Sequence, residues 1–480
     1  MYKLSNLIYS ISLILSDVGA LFVSFLIAYF LRGNILPIFI SRFEQTVSLP
    51  LETQLRYGFL YASLLVVLVL SFEKLYSKRF SFWDETRHLL TGISFAFILL
   101  MMTVYVSKGY TQYSRAAIIL TWILSLMLFP LFRLILRKIL FKINFLRKKV
   151  LIIGTNELAK LIAQEIKRNW TLGYEVLGFL SKKRSRPGKK IEGDIKTIGE
   201  IDQVEQLSKK LGVRDLIISL PGISQKSLLE LVEKCEQVAD TIRIVPDIGN
   251  LFTMGIEIEN WGDVLSLSMA RNLVKPWNIF IKKSFEFITT LFLLIFFLPI
   301  LLIIALAIKI DSRGSVFFVQ ERLGWRDKTF NFFKFRSMYV DGDLRLNKYL
   351  KENLQAKDEW KKYLKIKKKD PRVTRVGKFI RKYSLDELPQ FINIMKGDMS
   401  LVGPRPYMPR EIEEIGKSHE IISRVKPGLT GLWQVRGRNI LPFKKRLLLD
   451  EYYIRNWSLW LDIIILFKTM KVLITREGAY

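Results

Sequence analysis

Four stretches in the first third of the chain, Ile8–Leu31, Tyr57–Leu75, Leu89–Val106 and Ala116–Phe132, show almost no polar face. Each is close to the ~20 residues that a helix needs to cross the hydrocarbon core of a bilayer. This predicts a membrane protein, with a four-helix transmembrane region over 1–145. The first stretch is not a signal peptide: it is too long, carries Asp17 and lacks a small-residue cleavage site before Arg32. Composition agrees. Half of the 480 residues are hydrophobic, yet 74 Lys plus Arg against 44 Asp plus Glu leave a net charge of +30, the pairing expected of membrane spans with basic cytoplasmic parts. An aromatic share of 13% excludes disorder. Nucleic acid would explain the charge but not the apolar runs, so no nucleic-acid partner is expected. A single cysteine, Cys235, and two histidines, His88 and His419, exclude a disulfide framework and His-ligated zinc. If the chain is an enzyme, its chemistry must rest on carboxylates, Lys and Arg, with a hard metal ion as a further candidate.

Loop charges set the orientation. One side holds Lys3, Lys74, Lys78, Arg79, Arg87, Arg133, Arg137, Lys138, Lys142, Arg147, Lys148 and Lys149, twelve in all, against Arg32, Arg42, Arg56, Lys108 and Arg115 on the other. The positive-inside rule puts the N-terminus and everything after Phe132 in the cytoplasm.

Over 146–275 the pattern changes to alternating strand and helix. Lys149 to Gly154, Tyr174 to Leu180, Asp215 to Leu220 and Thr241 to Val245 read as strands; Glu157–Arg168, Glu200–Leu211 and Gln225–Val238 read as helices. That is a small parallel α/β sheet of Rossmann-like kind. A dinucleotide fingerprint needs three glycines, but only Gly154 stands here, with Asn156 and Ala159 in the following loop and helix. No acidic residue follows the second strand, which ends at Ser181, Lys182 and Lys183. The domain reads as a degraded nucleotide fold with a structural or regulatory role.

A fifth apolar segment, Phe285–Ile308, is long enough to span, but Pro299 sits in its middle, where it removes a helical hydrogen bond and favours a kink. Lys282 and Lys283 precede it and Lys309 and Arg313 follow. Basic residues on both flanks predict a re-entrant helix over 285–308 that turns at Pro299 and leaves on the face it entered; the alternative is a fifth crossing.

Residues 276–480 hold 39 Lys plus Arg against 21 Asp plus Glu. Ser384-x-Asp386-Glu387 ahead of an apolar run has the form of a capping box, with Ser384 as N-cap and Glu387 at N3. The same geometry sets two carboxylates in the first helical turn, where free N–H groups favour negative charge. Arg381 and Lys382 push the same way, so Asp386 is expected to stay ionised, as a nucleophile or metal ligand must. Lys334, Arg336, Arg381, Arg405, Arg436 and Arg438 sit in short motifs with Gly or Pro and point to an anionic partner. Arg405 between Pro404 and Pro406 stands on a stiff backbone suited to bidentate phosphate contact. Lys361–Lys369 reads instead as a solvated or lipid-facing run.

From Lys282 to the C-terminus the chain resembles the bacterial sugar transferase family, the monotopic polyprenyl-phosphate phosphoglycosyl transferases. The matching pieces are Lys282-Lys283, Gln320-x-Arg322-x-Gly324, Lys334 to Met338, Ser384–Gln390, Gly397–Pro406 and Lys426–Arg438, in the family's order over about 200 residues. The N-terminal spans and α/β domain resemble the long subfamily, and the ending from Trp457 to Tyr480 looks most like undecaprenyl-phosphate galactose phosphotransferases. The resemblance implies a mainly α, membrane-inserted α/β catalytic domain over 276–480. It implies transfer of a sugar 1-phosphate from a UDP-sugar to undecaprenyl phosphate at the bacterial inner (cytoplasmic) membrane, with release of UMP, as the first step of O-antigen, capsule or exopolysaccharide synthesis. Galactose is the favoured sugar and glucose the alternative. Asp386 maps to the family's nucleophile and Glu387 to its partner, the two also holding Mg²⁺. Arg381 and Arg405 match arginines near the phosphates, and Lys334 an active-site lysine. Leu298 departs from the serine that often precedes the family's helix-breaking proline, and Glu286 from a common aspartate. A homodimer is left open as a further partner. The rivals are a membrane-anchored nucleotide sensor, against which the degraded Gly154 loop argues, and a transferase whose site faces outward, where no UDP-sugar is available.

Overall fold

The computed structural model describes residues 2–40, 58–106, 114–142, 146–182, 190–246, 256–261, 264–269, 273, 275–353, 355, 357, 360, 366, 370–437 and 441–475. The chain forms two compact units, Met1–Asp247 and Ile248–Tyr480.

The first unit opens with helix α1 (Tyr2–Phe30), which continues through a π-type turn at Leu31–Ile35 and a short helix to Phe39. Helices α2 (Leu60–Phe72), α3 (Phe82–Val106) and α4 (Arg115–Leu140) complete the bundle. The Leu4–Phe39 run, α3 and α4 are each long and apolar enough to cross a membrane. The second expected span is shorter: α2 has 13 residues, about 20 Å at 1.5 Å per residue, and the residues before Gly58 lie outside those described. Leu13, Leu70, Leu89, Ile93 and Phe129 are fully buried between the helices.

The charge count needs a correction. Arg133 and Arg137, two of the twelve assigned to one side, are not loop residues. Both lie in α4 and are buried. Arg133 makes a bidentate contact with Asp17 (Nε–Oδ1 2.9 Å, Nη2–Oδ2 2.6 Å) and donates to Glu85 at 2.7 Å, which Arg137 also reaches at 2.6 Å. The Tyr76 hydroxyl closes the group on Asp17 at 2.8 Å. Away from water a lone charge is prohibitively costly, and these charges are paired and hydrogen-bonded. Arg137 also donates to the Thr171 carbonyl, and Arg79 to the carbonyls of Gly173 and Leu146, so the bundle is tied directly to the α/β domain.

That domain is a six-stranded sheet in the order β3-β4-β2-β1-β5-β6, from β1 (Lys148–Ile153), β2 (Tyr174–Ser181), β3 (Lys190–Glu192), β4 (Ile195–Glu200), β5 (Asp215–Ile218) and β6 (Thr241–Ile244). All pairs are parallel except β3 with β4. Helices α5 (Glu157–Arg168), α6 (Val204–Leu211) and α7 (Gln225–Glu236) connect the strands. The expected strands and helices stand where predicted; the β3–β4 pair is additional, and the helix expected from Glu200 begins at Val204. Gly154 has φ +123°, and a Cβ there would lie 2.0 Å from the Ser219 carbonyl oxygen. Its conformation is thus required by the close approach of two loops. Asn156 caps α5 through the Ala159 N–H at 3.0 Å and accepts from the Ser219 hydroxyl at 3.2 Å. The loop spends its polar groups on its own chain.

The second unit holds a hairpin of β7 (Ile256–Trp261) with β8 (Val264–Met269) and then α8 (Pro276–Asp311), 36 residues long. The helix extends beyond the expected 285–308 and runs unbroken through Pro299: a missing N–H deletes one hydrogen bond, and the bonds above and below it persist. Its apolar middle is exposed at Ile288, Phe292, Ile295, Phe296, Leu302 and Ile303. Both of its ends are held by the same unit. Near the start, Lys282 reaches Asp462 at 2.7 Å and the Val402 carbonyl at 3.0 Å, while Glu286 accepts from Ser400 and from the Leu401 N–H. Near the end, Ile304 and Ile308 pack on Phe335 and Ile380, and Asp311 accepts from the Val376 N–H at 3.0 Å. The remainder is built from an antiparallel pair, β9 (Phe317–Leu323) with β10 (Thr329–Phe335), helices α9 (Gly342–Glu352), α10 (Arg375–Lys382) and α11 (Gln390–Lys396), a short parallel pair, β11 (Ser400–Val402) with β12 (Gly428–Thr430), and helices α12 (Leu432–Arg436), α13 (Phe443–Arg455) and α14 (Leu459–Thr475). Most of the expected basic run 361–369 lies outside the described residues.

Candidate active site

Asp386 and Glu387 sit on a 3₁₀ turn, Leu385–Glu387, between α10 and α11. The expected capping box does not form. Ser384 is in the left-handed region, at φ +56°, and its side chain makes no cap hydrogen bond; an N-cap needs an extended backbone to aim its oxygen at the N3 amide. Nor do the carboxylates belong to the first turn of a long helix, since α11 starts at Gln390 and has 7 residues. The turn instead projects both carboxylates beside β10.

There Lys334 donates to Glu387 at 2.8 Å. Asp386 is half-buried, and burial, reinforced by the neighbouring Glu387 charge, pushes its carboxyl up to about 6. Lys334 and Arg381 oppose that rise. The sequence expectation weighed the N–H groups of a helix start with Arg381 and Lys382; burial outweighs the cations that act here. At neutral pH Asp386 is still mostly ionised, and it is a more basic carboxylate than an exposed one.

The other expected residues separate. Arg381 is exposed in the last turn of α10, where its charge acts on Asp386. Arg405 contacts Glu411 at 3.4 Å and lies 5.6 Å from the centroid of the Tyr407 ring. Arg336 is buried, and its terminal nitrogens donate to the carbonyls of Ser312 (2.7 Å) and Arg313 (2.9 Å), which fastens the end of α8 to β10. Arg436 is exposed at the end of α12, and Arg438 lies outside the described residues.

Three residues outside the expected site set support the Arg405 loop. Arg322 donates to the Pro406 carbonyl at 3.1 Å. Glu411 accepts from the Met408 N–H at 2.7 Å as well as from Arg405. Asp450, fully buried in α13, accepts from the Arg405 N–H (3.2 Å) and the Tyr407 hydroxyl (2.9 Å), and burial pushes its carboxyl up to about 7. The motif Gln320-x-Arg322-x-Gly324 was the one available signal for Arg322. Asp450 had none, because it lies 45 residues from Arg405.

Among the described residues no group of three or more His, Cys, Asp or Glu comes together as a closed metal site. The dyad offers two oxygen-bearing groups, and its mutual repulsion raises Asp386. That donor set fits Mg²⁺, which binds through one or two carboxylates and takes its other ligands from phosphate and water.

Residues 277–476 match the bacterial sugar transferase family, and residues 64–246 match a CoA-binding domain family. An uncharacterized sugar transferase of Haemophilus influenzae is 34% identical over 413 residues, covering 84% of this chain and 85% of its own length. The undecaprenyl-phosphate galactose phosphotransferase of Salmonella typhimurium is 32% identical over 410 residues, 84% of each chain. The undecaprenyl-phosphate glucose phosphotransferase of Komagataeibacter xylinus is 32% identical over 347 residues, 70% of this chain and 60% of its own. A solved Rex-family repressor covers 25% of this chain and 61% of its own at 20% identity, with a TM-score of 0.19, too low to bear on the fold. Apolar helices, α/β domains and these likenesses define a membrane protein that is a transferase enzyme. The chain belongs to the bacterial sugar transferase family.

Proposed function

We propose that this enzyme transfers a sugar 1-phosphate, with galactose favoured, from a UDP-sugar to undecaprenyl phosphate through a covalent intermediate on Asp386. The observation that carries the reading is the half-buried Asp386–Glu387 pair, with Lys334 on Glu387 and Arg381 beside it. A carboxylate oxygen of Asp386 attacks the β-phosphorus of the donor. The bond from that phosphorus to the bridging oxygen breaks, and UMP leaves with the electron pair. A phosphate oxygen of undecaprenyl phosphate then attacks the aspartyl phosphosugar, restoring the carboxylate and giving the lipid diphosphate sugar. Desolvation keeps Asp386 poorly hydrated and hence more nucleophilic, while Lys334 holds Glu387 in place and Arg381 and Arg405 supply positive charge for the phosphates. Asp386 and Glu387 would hold Mg²⁺, which when bound would neutralise diphosphate charge.

Relatives named for galactose and relatives named for glucose both match over long stretches, and glucose is the second reading. The product would serve O-antigen, capsule or exopolysaccharide synthesis. Both ends of α8 are bound to one unit, which supports ends on one face of the membrane; because the helix is continuous through Pro299, that return takes a proline bend rather than a break in the helix. With the net loop charge, this favours a catalytic domain on the cytoplasmic side of the inner membrane, where UDP-sugars are.

UMP release from a panel of UDP-sugars, assayed in membranes with undecaprenyl phosphate, tests the activity and the sugar. Labelled donor should leave label on the wild type and none on Asp386→Asn; a labelled and active Asp386→Asn would refute the covalent route. Cysteines at positions 283 and 313 should both react only from the cytoplasmic side, and periplasmic reaction at 313 would overturn the topology and the choice of donor.

A further inference from the structure

We propose that Arg322 is a further phosphate-binding residue of this site. With Lys334 it forms a two-cation face on the β9–β10 hairpin, each cation gripping a different phosphate group. The inference rests on the reading of Asp386 as the nucleophile.

The register of the hairpin pairs Arg322 with Phe330, Gln320 with Phe332 and Phe318 with Lys334. Partners across an antiparallel pair share a face, and so do residues two apart along a strand. Arg322, Gln320, Phe332 and Lys334 therefore project from one face. Phe332 stands between the two cations. The Arg322 guanidinium carbon is 5.5 Å from its ring centroid and the Lys334 ammonium 5.4 Å, so the two charges are no farther apart than the sum of those distances. That upper bound leaves room between them for a diphosphate, or for two phosphates brought together for reaction.

The two ends of this face meet the two halves of the site. Lys334 is paired with Glu387 of the dyad, and Arg322 is hydrogen-bonded to the carbonyl of Pro406, the residue after Arg405.

Arg322 is also incompletely satisfied. A guanidinium has five N–H groups. One terminal nitrogen donates to Pro406 and the other to Gln320 at 2.8 Å, while the buried Nε has no protein partner. Cations and anions both act on it. Burial and the charges of Arg405 and Arg410 hold its pKa below the usual arginine range, opposed by Glu411 and Glu387. A buried charged donor without an acceptor is costly, and like charges nearby add to the cost. A residue serving only to pin the Pro406 carbonyl could be neutral. A cation held here beside Arg405 is arranged for an incoming anion, and the planar guanidinium suits phosphate oxygens.

Two phosphates could occupy this end, that of the nucleotide leaving group or that of the lipid acceptor. The test uses the full chain in membranes, with Arg322→Gln and Arg322→Lys. Glutamine removes the charge and shortens the side chain, and lysine keeps the charge without the bidentate fork. KM and kcat are measured separately for UDP-sugar and undecaprenyl phosphate, and labelling of Asp386 is followed with donor alone. Arg322→Gln is expected to raise one KM at least tenfold while kcat changes less than threefold, with Arg322→Lys intermediate. If the nucleotide phosphate binds here, labelling by donor alone will require correspondingly more UDP-sugar. If the lipid phosphate binds here, labelling will be unchanged and only the KM for undecaprenyl phosphate will rise. Unchanged KM values in both variants, with or without a loss of kcat, would overturn the assignment and leave Arg322 as a support for the Arg405 loop. Should Arg322→Gln fail to accumulate as folded protein, the lysine variant gives the same KM readout. Absence of label on wild-type Asp386 would refute the underlying reading itself, a result distinct from unchanged KM values in a labelled enzyme.

Discussion

The ionisation of Asp386 gives the sharpest test of the site. Its carboxyl stands at about 6, against an ordinary value of 3.8. At 1.36 kcal/mol per unit that displacement corresponds to about 3 kcal/mol at most of bias against the charged form. Only the carboxylate can attack phosphorus. The rate of covalent labelling by UDP-sugar should therefore be nearly flat above pH 7, halve near pH 6 and fall about tenfold per unit below that. Glu387 is a cause of the rise and Lys334 opposes it, so two substitutions should move the acid limb in opposite directions. Glu387→Gln removes a neighbouring negative charge and should shift the limb to lower pH. Lys334→Met removes a cation and releases Glu387, and should shift it to higher pH. Both variants will be slower at their plateau, so the position of the limb is the quantity to read, from single-turnover labelling in membranes between pH 4.5 and 8. A wild-type limb near pH 4, or a shift of both variants in the same direction, would refute the argument that desolvation and the Glu387 charge set this pKa.

Other outcomes follow from the packing. Arg133→Met should destabilise the bundle by roughly 3–5 kcal/mol, because Asp17 and Glu85 lose a shared buried partner; Arg133→Lys should rescue only part, since it cannot restore the bidentate contact, and thermal aggregation in detergent reports both. Asn156→Ala removes the cap of α5 and should weaken the sheet domain by about 1 kcal/mol while UMP release stays at the wild-type rate; a lost nucleotide-dependent activity would contradict the structural reading of the Gly154 loop. Asp450, raised to about 7 by burial, favours the folded state most below its unfolded pKa. That contribution is lost as pH rises to about 7 and is constant above it. The thermal midpoint of the wild type should therefore fall relative to Asp450→Asn between pH 4 and 7, and a parallel pH dependence in the two proteins would refute it.

What was legible in the sequence had its cause within a few residues. Apolar runs of spanning length, the alternation of strand and helix from Lys148 to Ile244, and two adjacent carboxylates with Arg381 nearby could all be read along the chain. The features that were missed depend on what the fold brings in from far away. Arg133 and Arg137 looked like loop charges because Asp17 and Glu85, their partners, are 116 and 52 residues distant, respectively. Ser384 had the spacing of a cap, but capping is decided by backbone angle, and its left-handed φ defeats it. Asp386 looked stabilised in its charged form because sequence shows neighbouring cations and not desolvation. The same distinction separates the arginines. Arg336 and Arg405 look alike as basic residues in short motifs, yet one is consumed by the carbonyls that end α8 and the other is held on a braced loop between Asp450 and Glu411. Arg322 and Arg336 each keep a buried Nε without a protein partner, so leftover hydrogen-bonding capacity does not separate them; place in the fold does. Arg336 is tied to the end of α8, whereas Arg322 is tied to the Pro406 carbonyl, next to Arg405, and within such a motif-rich basic domain the residues to assign to substrate are those that the fold sets beside the site.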